Sequence, residues 1–212
     1  MSVLPELAQR LEQGDAAGVA ELTRKAIAEG LQPKSILDSG LIAGMTVVGN
    51  RFKAHEIFLP DVLLAARAMY AGMDLLKPLM IRDGIPSRGR VVIGTVQGDM
   101  HDIGKNLVSI MLRGAGFDVI DLGKDVPPER FVQAAVESDA GVIGLSALLT
   151  TTMPVMRRVV ELAKERNLQG KTRIIIGGAP LSREYAREIG ADAYCYDGTS
   201  AVDCVKSIYG VT

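Results

Sequence analysis

Apolar residues recur at three- and four-residue spacing through the first 80 or so positions, and the pattern then changes. "LPELAQRLEQGD", residues 4–15, predicts a helix that stops at Gly14. "DAAGVAELTRKAIAEG", 15–30, predicts a second, capped by Asp15 and stopped at Gly30. "PKSILDSGLIAGMTVVGNRF", 33–52, opens on a proline suited to a first helical turn. "FLPDVLLAARAMYAGMDLLKPLM", 58–80, is apolar on nearly every side and predicts a long fourth helix. Four helices joined by short turns predict a small bundle over residues 1–84. The stretch "RDGIPSRG", 82–89, carries the Gly, Pro and Ser of a connector, which places a linker at 85–89.

From residue 90 the texture alternates. "RVVIGTV", "FDVIDLG", "AGVIGLS", "RIIIGG" and "ADAYCY" are short β-rich runs, each followed by an amphipathic stretch. Five strand–helix units with short connections predict a flavodoxin- or Rossmann-like, doubly wound, five-stranded parallel sheet over 90–212. Ligands of such sheets bind beyond the carboxyl ends of the strands.

Composition narrows the function. Of 212 residues, 48% are hydrophobic and only 4% aromatic, and the net charge is −1. Nothing there attracts nucleic acid or an anionic membrane. No apolar run reaches the ~20 residues of a membrane span, and the first residues do not read as a signal peptide. Cys195 and Cys204 lack metal-site spacing, which fits reduced thiols in a cytoplasmic protein.

The first strand runs into "GTVQGDMHDIGKNLV", residues 94–108. It is not a phosphate-binding loop. Five residues separate Gly98 from Gly104, Asn106 replaces the magnesium-binding hydroxyl, and Asp99 and Asp102 would repel phosphate. It does not fit a dinucleotide fingerprint either. The third strand ends in Leu145-Ser146 rather than the aspartate of a phospho-receiver. A lone His101 beside Asp99 is too little for zinc, which takes three or four protein ligands. It suits a metal whose other positions are filled by a macrocycle, with the carboxylate fixing the imidazole tautomer.

"DMHDIG", Asp99 to Gly104, is a D-x-H-x-x-G signature. With "SALL" (146–149) after the third strand and "GGAP" (177–180) after the fourth, the chain resembles the cobalamin-binding corrinoid proteins of methyltransferase systems. "IFLPDVLLAARAM" (57–69) resembles the helical cap of their methyl-transferring members.

The resemblance implies cobalamin or a related corrinoid as cofactor, with His101 as lower axial ligand to cobalt in place of the cofactor's own base. It implies a relay from His101 through Asp99 to Thr152. It places the cofactor against Gly98, Asp99, Met100, His101, Asp102, Ile103 and Gly104, with Ser146, Leu148 and Thr150 beside the displaced nucleotide tail. Gly177, Gly178 and Ala179 would leave room for that tail, and Tyr196 and Asp197 would close its far end. Phe58, Leu59, Val62 and Met69 would cover the upper face of the corrin.

The implied function is a methyl carrier cycling between Co(I) and methyl-Co(III), not catalytic alone. Its partners would be a substrate:corrinoid methyltransferase, a second methyltransferase acting on tetrahydrofolate or a thiol, and a reductive-activation protein. The compatible donors are a methoxylated aromatic, methanol, a methylamine or betaine. A cobalamin-binding sensor is the alternative use of the same residues.

Overall fold

The computed structural model describes residues 3–211; positions 1, 2 and 212, the outermost ends of the two expected domains, lie outside the described residues. The chain divides into two compact units: residues 1–87 with 113–116, and residues 88–112 with 117–212.

The first unit is helical. Helices α1 (Val3–Glu12), α2 (Ala16–Ala28) and α3 (Pro33–Ile36) come first. One π-helical stretch, Leu37–Ile42, joins α3 to α4 (Ala43–Lys53), and α5 (Leu59–Arg82) follows. Asp15 caps α2 by accepting from the Gly18 N–H at 2.9 Å, as expected of an N-cap carboxylate. Gly40 and Gly44 stand where α1 passes closest: a Cβ at Gly44 would press on the Ala8 carbonyl oxygen, and one at Gly40 on the Leu7 side chain. Close helix contact here therefore depends on the missing side chains. Leu7, Leu11, Ile36, Leu41, Met69 and Leu76 are among the buried residues of this unit.

The second unit is the sheet expected from the alternating pattern. Strands β1 (Arg90–Thr95), β2 (Asp118–Asp121), β3 (Val142–Ser146), β4 (Arg173–Gly177) and β5 (Ala193–Cys195) lie in the order β2-β1-β3-β4-β5, and every pairing is parallel. The strands alternate with α6 (Ile103–Gly114), α7 (Pro128–Ser138), α8 (Met153–Glu165), α9 (Arg183–Ile189) and α10 (Gly198–Tyr209). One face, built from Val92, Ile143, Leu145, Ile174 and Ile176, packs with Phe131, Val132, Met156, Val159 and Ile189 of α7, α8 and α9. The strand order reverses between β1 and β3, and right-handed crossovers then put α6 on the opposite face. There α10 meets it: a Cβ at Gly198 would strike Met111 of α6.

Below the sheet, the Tyr209 hydroxyl accepts from the Arg90 N–H at 3.0 Å and the Gly141 N–H at 2.9 Å, and donates to the Arg90 carbonyl. It thereby ties α10 to the amino ends of β1 and β3.

Candidate functional site

The topology places the β1–α6 loop at the switch point between β1 and β3, where a parallel sheet opens a crevice. The loop is held from several sides. The Thr95 hydroxyl donates to the His101 carbonyl at 2.9 Å. Asp125 accepts from the Gly98 N–H at 2.7 Å and donates its own N–H to the Asp99 carbonyl at 3.2 Å. Asp125 sits in the left-handed region (φ 55°), which an aspartate tolerates better than most residues.

Asp99 is fully buried (0% exposed), and its carboxylate has five donors. Oδ1 takes the His101 N–H at 3.0 Å and lies 2.7 Å from His101 Nδ1. Oδ2 takes the N–H groups of Leu148 at 2.7 Å and Leu149 at 3.1 Å, together with the Thr152 hydroxyl at 2.9 Å. Thr152 Oγ1 is also 2.9 Å from the Leu149 carbonyl, but it has one proton, and the carboxylate is the stronger acceptor. Burial alone would raise the pKa of Asp99. The hydrogen bonds from His101, Leu148 and Thr152 outweigh it and hold the group well below the usual carboxylate range. Asp99 is thus an anion at neutral pH.

In the neutral imidazole, a carboxylate at Nδ1 favours the proton on that nitrogen and the lone pair on Nε2. The His101 side chain is 51% exposed. The exposed apolar side chains of Met100 and Ile103, with Leu148 and Leu149 from the β3–α8 loop and Tyr196 after β5, share its sheet edge. Among the described residues no three His, Cys, Asp or Glu side chains converge on a metal position, so any metal held here would have its remaining ligands from elsewhere.

On the α6 face, the last row of the sheet is Thr95, Ser146, Gly177 and Cys195, in register across four strands. Small side chains in this row leave a trough. A Cβ on Gly104 would meet nothing within 4 Å, and one on Gly177 only the Cys195 carbonyl, at 3.2 Å. Leu107, Val108 and Ile110 of α6 stay only half-buried.

Gly178 is a different case. Its φ is 140°, and a Cβ there would collide with the Ala147 carbonyl. The protein's own backbone therefore requires this glycine, whatever lies in the trough.

The other expected residues are placed as follows. Asp102 is half-buried, its carbonyl accepting the Asn106 N–H at 2.8 Å. Thr150 and Ala179 are exposed on their loops, and Ser146 is half-buried in the sheet row. The Asp197 carboxylate is committed to its helix, since Oδ1 accepts the Ser200 N–H at 2.7 Å. In the helical unit Phe58 is exposed and Leu59 half-exposed, whereas Val62 and Met69 are buried, at 1% each.

One feature was not visible in the sequence. The Lys105 ammonium is buried and lies 2.6 Å from both oxygens of Asp121 and 2.6 Å from Asn106 Oδ1. It fastens the first turn of α6 to the end of β2.

Known proteins share this architecture. The B12 binding domain family matches residues 89–206, and a second B12 binding domain family matches 3–77. The chain is 45% identical over 213 residues to a corrinoid protein of Desulfitobacterium hafniense (strain Y51), covering 99% of each chain. It is 46% identical over 207 residues to dimethylamine corrinoid protein 1 of Methanosarcina acetivorans, covering 97% of each. It superposes on the methanol:cobalamin methyltransferase complex of Methanosarcina barkeri with a TM-score of 0.89 and 30% identity, covering 99% of this chain and 80% of that one. With the D-x-H-x-x-G loop at the switch point and both domain families matched, the chain belongs to the B12-binding corrinoid proteins, and its cofactor is cobalamin or a related corrinoid.

Proposed function

We propose that this chain is the methyl-carrying corrinoid subunit of a methyltransferase system, and that His101 Nε2 is the lower axial ligand of the metal. The observation that carries the reading is the Asp99–His101 pair, 2.7 Å between Oδ1 and Nδ1, which turns Nδ1 to the carboxylate and leaves Nε2 as the ring nitrogen available to a metal, on a half-exposed side chain among apolar ones.

The residues present fit a corrinoid. An apolar rim suits a macrocycle, and the open trough beside Gly104 and Gly177 suits a displaced nucleotide tail. When bound, the corrinoid supplies a cobalt able to accept and give up a methyl group. The chain's own part is to orient and to cover. Asp99 fixes the tautomer and ring plane of His101, and the Leu148 and Leu149 N–H groups with Thr152 fix Asp99. Of the expected cap residues, Phe58 and Leu59 keep apolar surface that a corrin would find open, whereas Val62 and Met69 are buried.

The relatives support a methylamine or methanol as donor, since dimethylamine corrinoid proteins and a methanol:cobalamin methyltransferase complex are among them. Such a donor implies a substrate:corrinoid methyltransferase as one partner. A second methyltransferase acting on tetrahydrofolate or a thiol, and a reductive-activation protein, complete the proposed system.

Electron spin resonance of the Co(II) protein grown with ¹⁵N-histidine tests the ligand. Hyperfine splitting from one protein ¹⁵N nucleus is expected. Splitting only from the cofactor's own base nitrogen would overturn the assignment of His101.

A further inference from the structure

Asp125 lies in the connection between β2 and α7, outside the D-x-H-x-x-G loop. Its φ is 55°, in the left-handed region, where a glycine sits without strain. The residue is exposed and adds nothing to the core. A glycine would suit that backbone better, so what the aspartate adds is its carboxylate.

Its own turn does not need that carboxylate. The Thr95 N–H donates to the Gly123 carbonyl at 2.9 Å, and the Val126 N–H donates to the Thr95 carbonyl at 3.0 Å. Val126 also bridges to Val96 and is buried. Main-chain bonds and one packed side chain thus stitch the connection to the end of β1. Asp125 reaches to the neighbouring loop instead. Its Oδ1 accepts from the Gly98 N–H at 2.7 Å, and its own N–H donates to the Asp99 carbonyl at 3.2 Å.

These two bonds bracket Asp99. One holds the chain just before it, and the other holds its carbonyl. Gly98 needs such a hold, because it is exposed, has a φ of 83°, and belongs to the residue type with the most backbone freedom. Once the backbone on both sides is fixed, the Asp99 carboxylate has one direction, between His101 and the β3–α8 loop.

We propose that Asp125 is a positioning residue for the axial ligand. It acts through the backbone of Gly98 and Asp99 and holds the Asp99–His101 pair in the pose that offers Nε2 to the metal. The inference rests on His101 as that ligand. Asp125 itself touches neither His101 nor the metal's place; it does for the Asp99 main chain what Asp99 does for the imidazole.

The parent, Asp125→Asn and Asp125→Gly separate a positioning residue from a merely structural one. Asparagine keeps an oxygen for the Gly98 N–H and tolerates the left-handed backbone. Glycine suits that backbone and has no side chain, so it removes the bond without adding strain. Each full-length protein is titrated with hydroxocobalamin, and the spin resonance of its Co(II) form is recorded with ¹⁵N-histidine. Asp125→Gly should bind about three- to thirty-fold more weakly and show a smaller histidine-ligated fraction. Asp125→Asn should stay close to the parent in both, and corrinoid-free Asp125→Gly should melt close to the parent.

Parent-like affinity and spectrum in Asp125→Gly would overturn the proposal and leave His101 as ligand. Asp125→Asn as impaired as Asp125→Gly would assign the effect to charge and overturn it too. So would a melting temperature that falls in step with the affinity, which would make Asp125 a stability residue. A parent spectrum without a protein nitrogen would overturn the histidine reading and this proposal together. The corrinoid-free protein gives an independent reading: the Gly98 amide should resist hydrogen exchange despite its exposure, and Asp125→Gly should release it. A Gly98 amide that exchanges at the free rate in the parent would again overturn the clamp.

Discussion

Asp99 and His101 are joined twice, through the backbone N–H of His101 at 3.0 Å and through its ring Nδ1 at 2.7 Å, both on the same carboxylate oxygen. The second oxygen is spent entirely on the β3–α8 loop. One side chain therefore sets the imidazole and the neighbouring loop together. Asp99→Asn keeps the size but lacks the charge that fixes the Nδ1 proton. It should bind corrinoid ~10–100-fold more weakly, and its Co(II) spectrum should show a smaller histidine-ligated fraction. Unchanged affinity and an unchanged spectrum would remove Asp99 from the ligand's support.

The same carboxylate governs acid stability of the corrinoid-free protein. Its folded pKa lies below the ordinary value, so the unfolded chain binds the proton more readily. The stabilisation is present above the ordinary carboxylate pKa of about 3.9 and is lost as pH falls toward the folded value. Urea unfolding from pH 6 to pH 3 should show a shallower loss of stability in Asp99→Asn than in the parent. Parallel curves would show that Asp99 titrates alike in both states.

The two glycines after β4 should respond differently. Gly178→Ala places a Cβ on the Ala147 carbonyl and should lower the melting temperature and the affinity for cobalamin and cobinamide alike. Gly177→Ala meets only the Cys195 carbonyl and otherwise projects into the trough. It should fold and discriminate against cobalamin relative to cobinamide. If the melting temperatures and affinities of the two variants match, the distinction fails.

Breaking the Lys105–Asp121 pair should be asymmetric. The Lys105 side chain is 2% exposed and that of Asp121 24%. Asp121→Asn leaves a buried ammonium without its counter-charge and should cost about 3–5 kcal/mol, whereas Lys105→Met leaves a carboxylate that water can reach and should cost about 1–3 kcal/mol. Chemical denaturation of both variants measures the difference, and a reversed order would refute it.

Cys204 should be the more reactive thiol. A hydrogen bond from Cys195 lowers its pKa to about 7, while the same contact and burial push Cys195 up. Iodoacetamide should label Cys204 first, with a rate that rises through neutral pH and levels off above it. A rate still climbing at pH 9 would contradict the shift.

Much of this was legible in the sequence. Helical spacing gave way to short β runs at the linker, and the alternation fixed both the sheet and the edge that carries His101. Other features depend on contacts between distant residues. The Lys105–Asp121 pair spans 16 positions, and Lys105 after a glycine reads equally well as a phosphate ligand. Asp125 holds Gly98 across 27 positions. Helix α5 is apolar almost all round, so its sequence carries no phase to separate the exposed Leu63 and Leu64 from the buried Val62 and Met69, and Phe58 precedes the helix in extended backbone, outside its periodicity. Asp197 looks like a loop ligand until Ser200 is seen bonded to it.

The walls of the trough, α6 and α10, come from opposite ends of the second unit's sequence, and Tyr209 ties the later one to the amino ends of β1 and β3. A ligand lodged there touches elements that can coexist only once the whole unit has folded. Its binding energy is then shared by the global equilibrium rather than by one loop. At a free corrinoid concentration a thousand times the dissociation constant, the unit should gain about 4 kcal/mol against complete unfolding. Amides in β2, which the trough does not touch, should slow their hydrogen exchange as much as those beside His101.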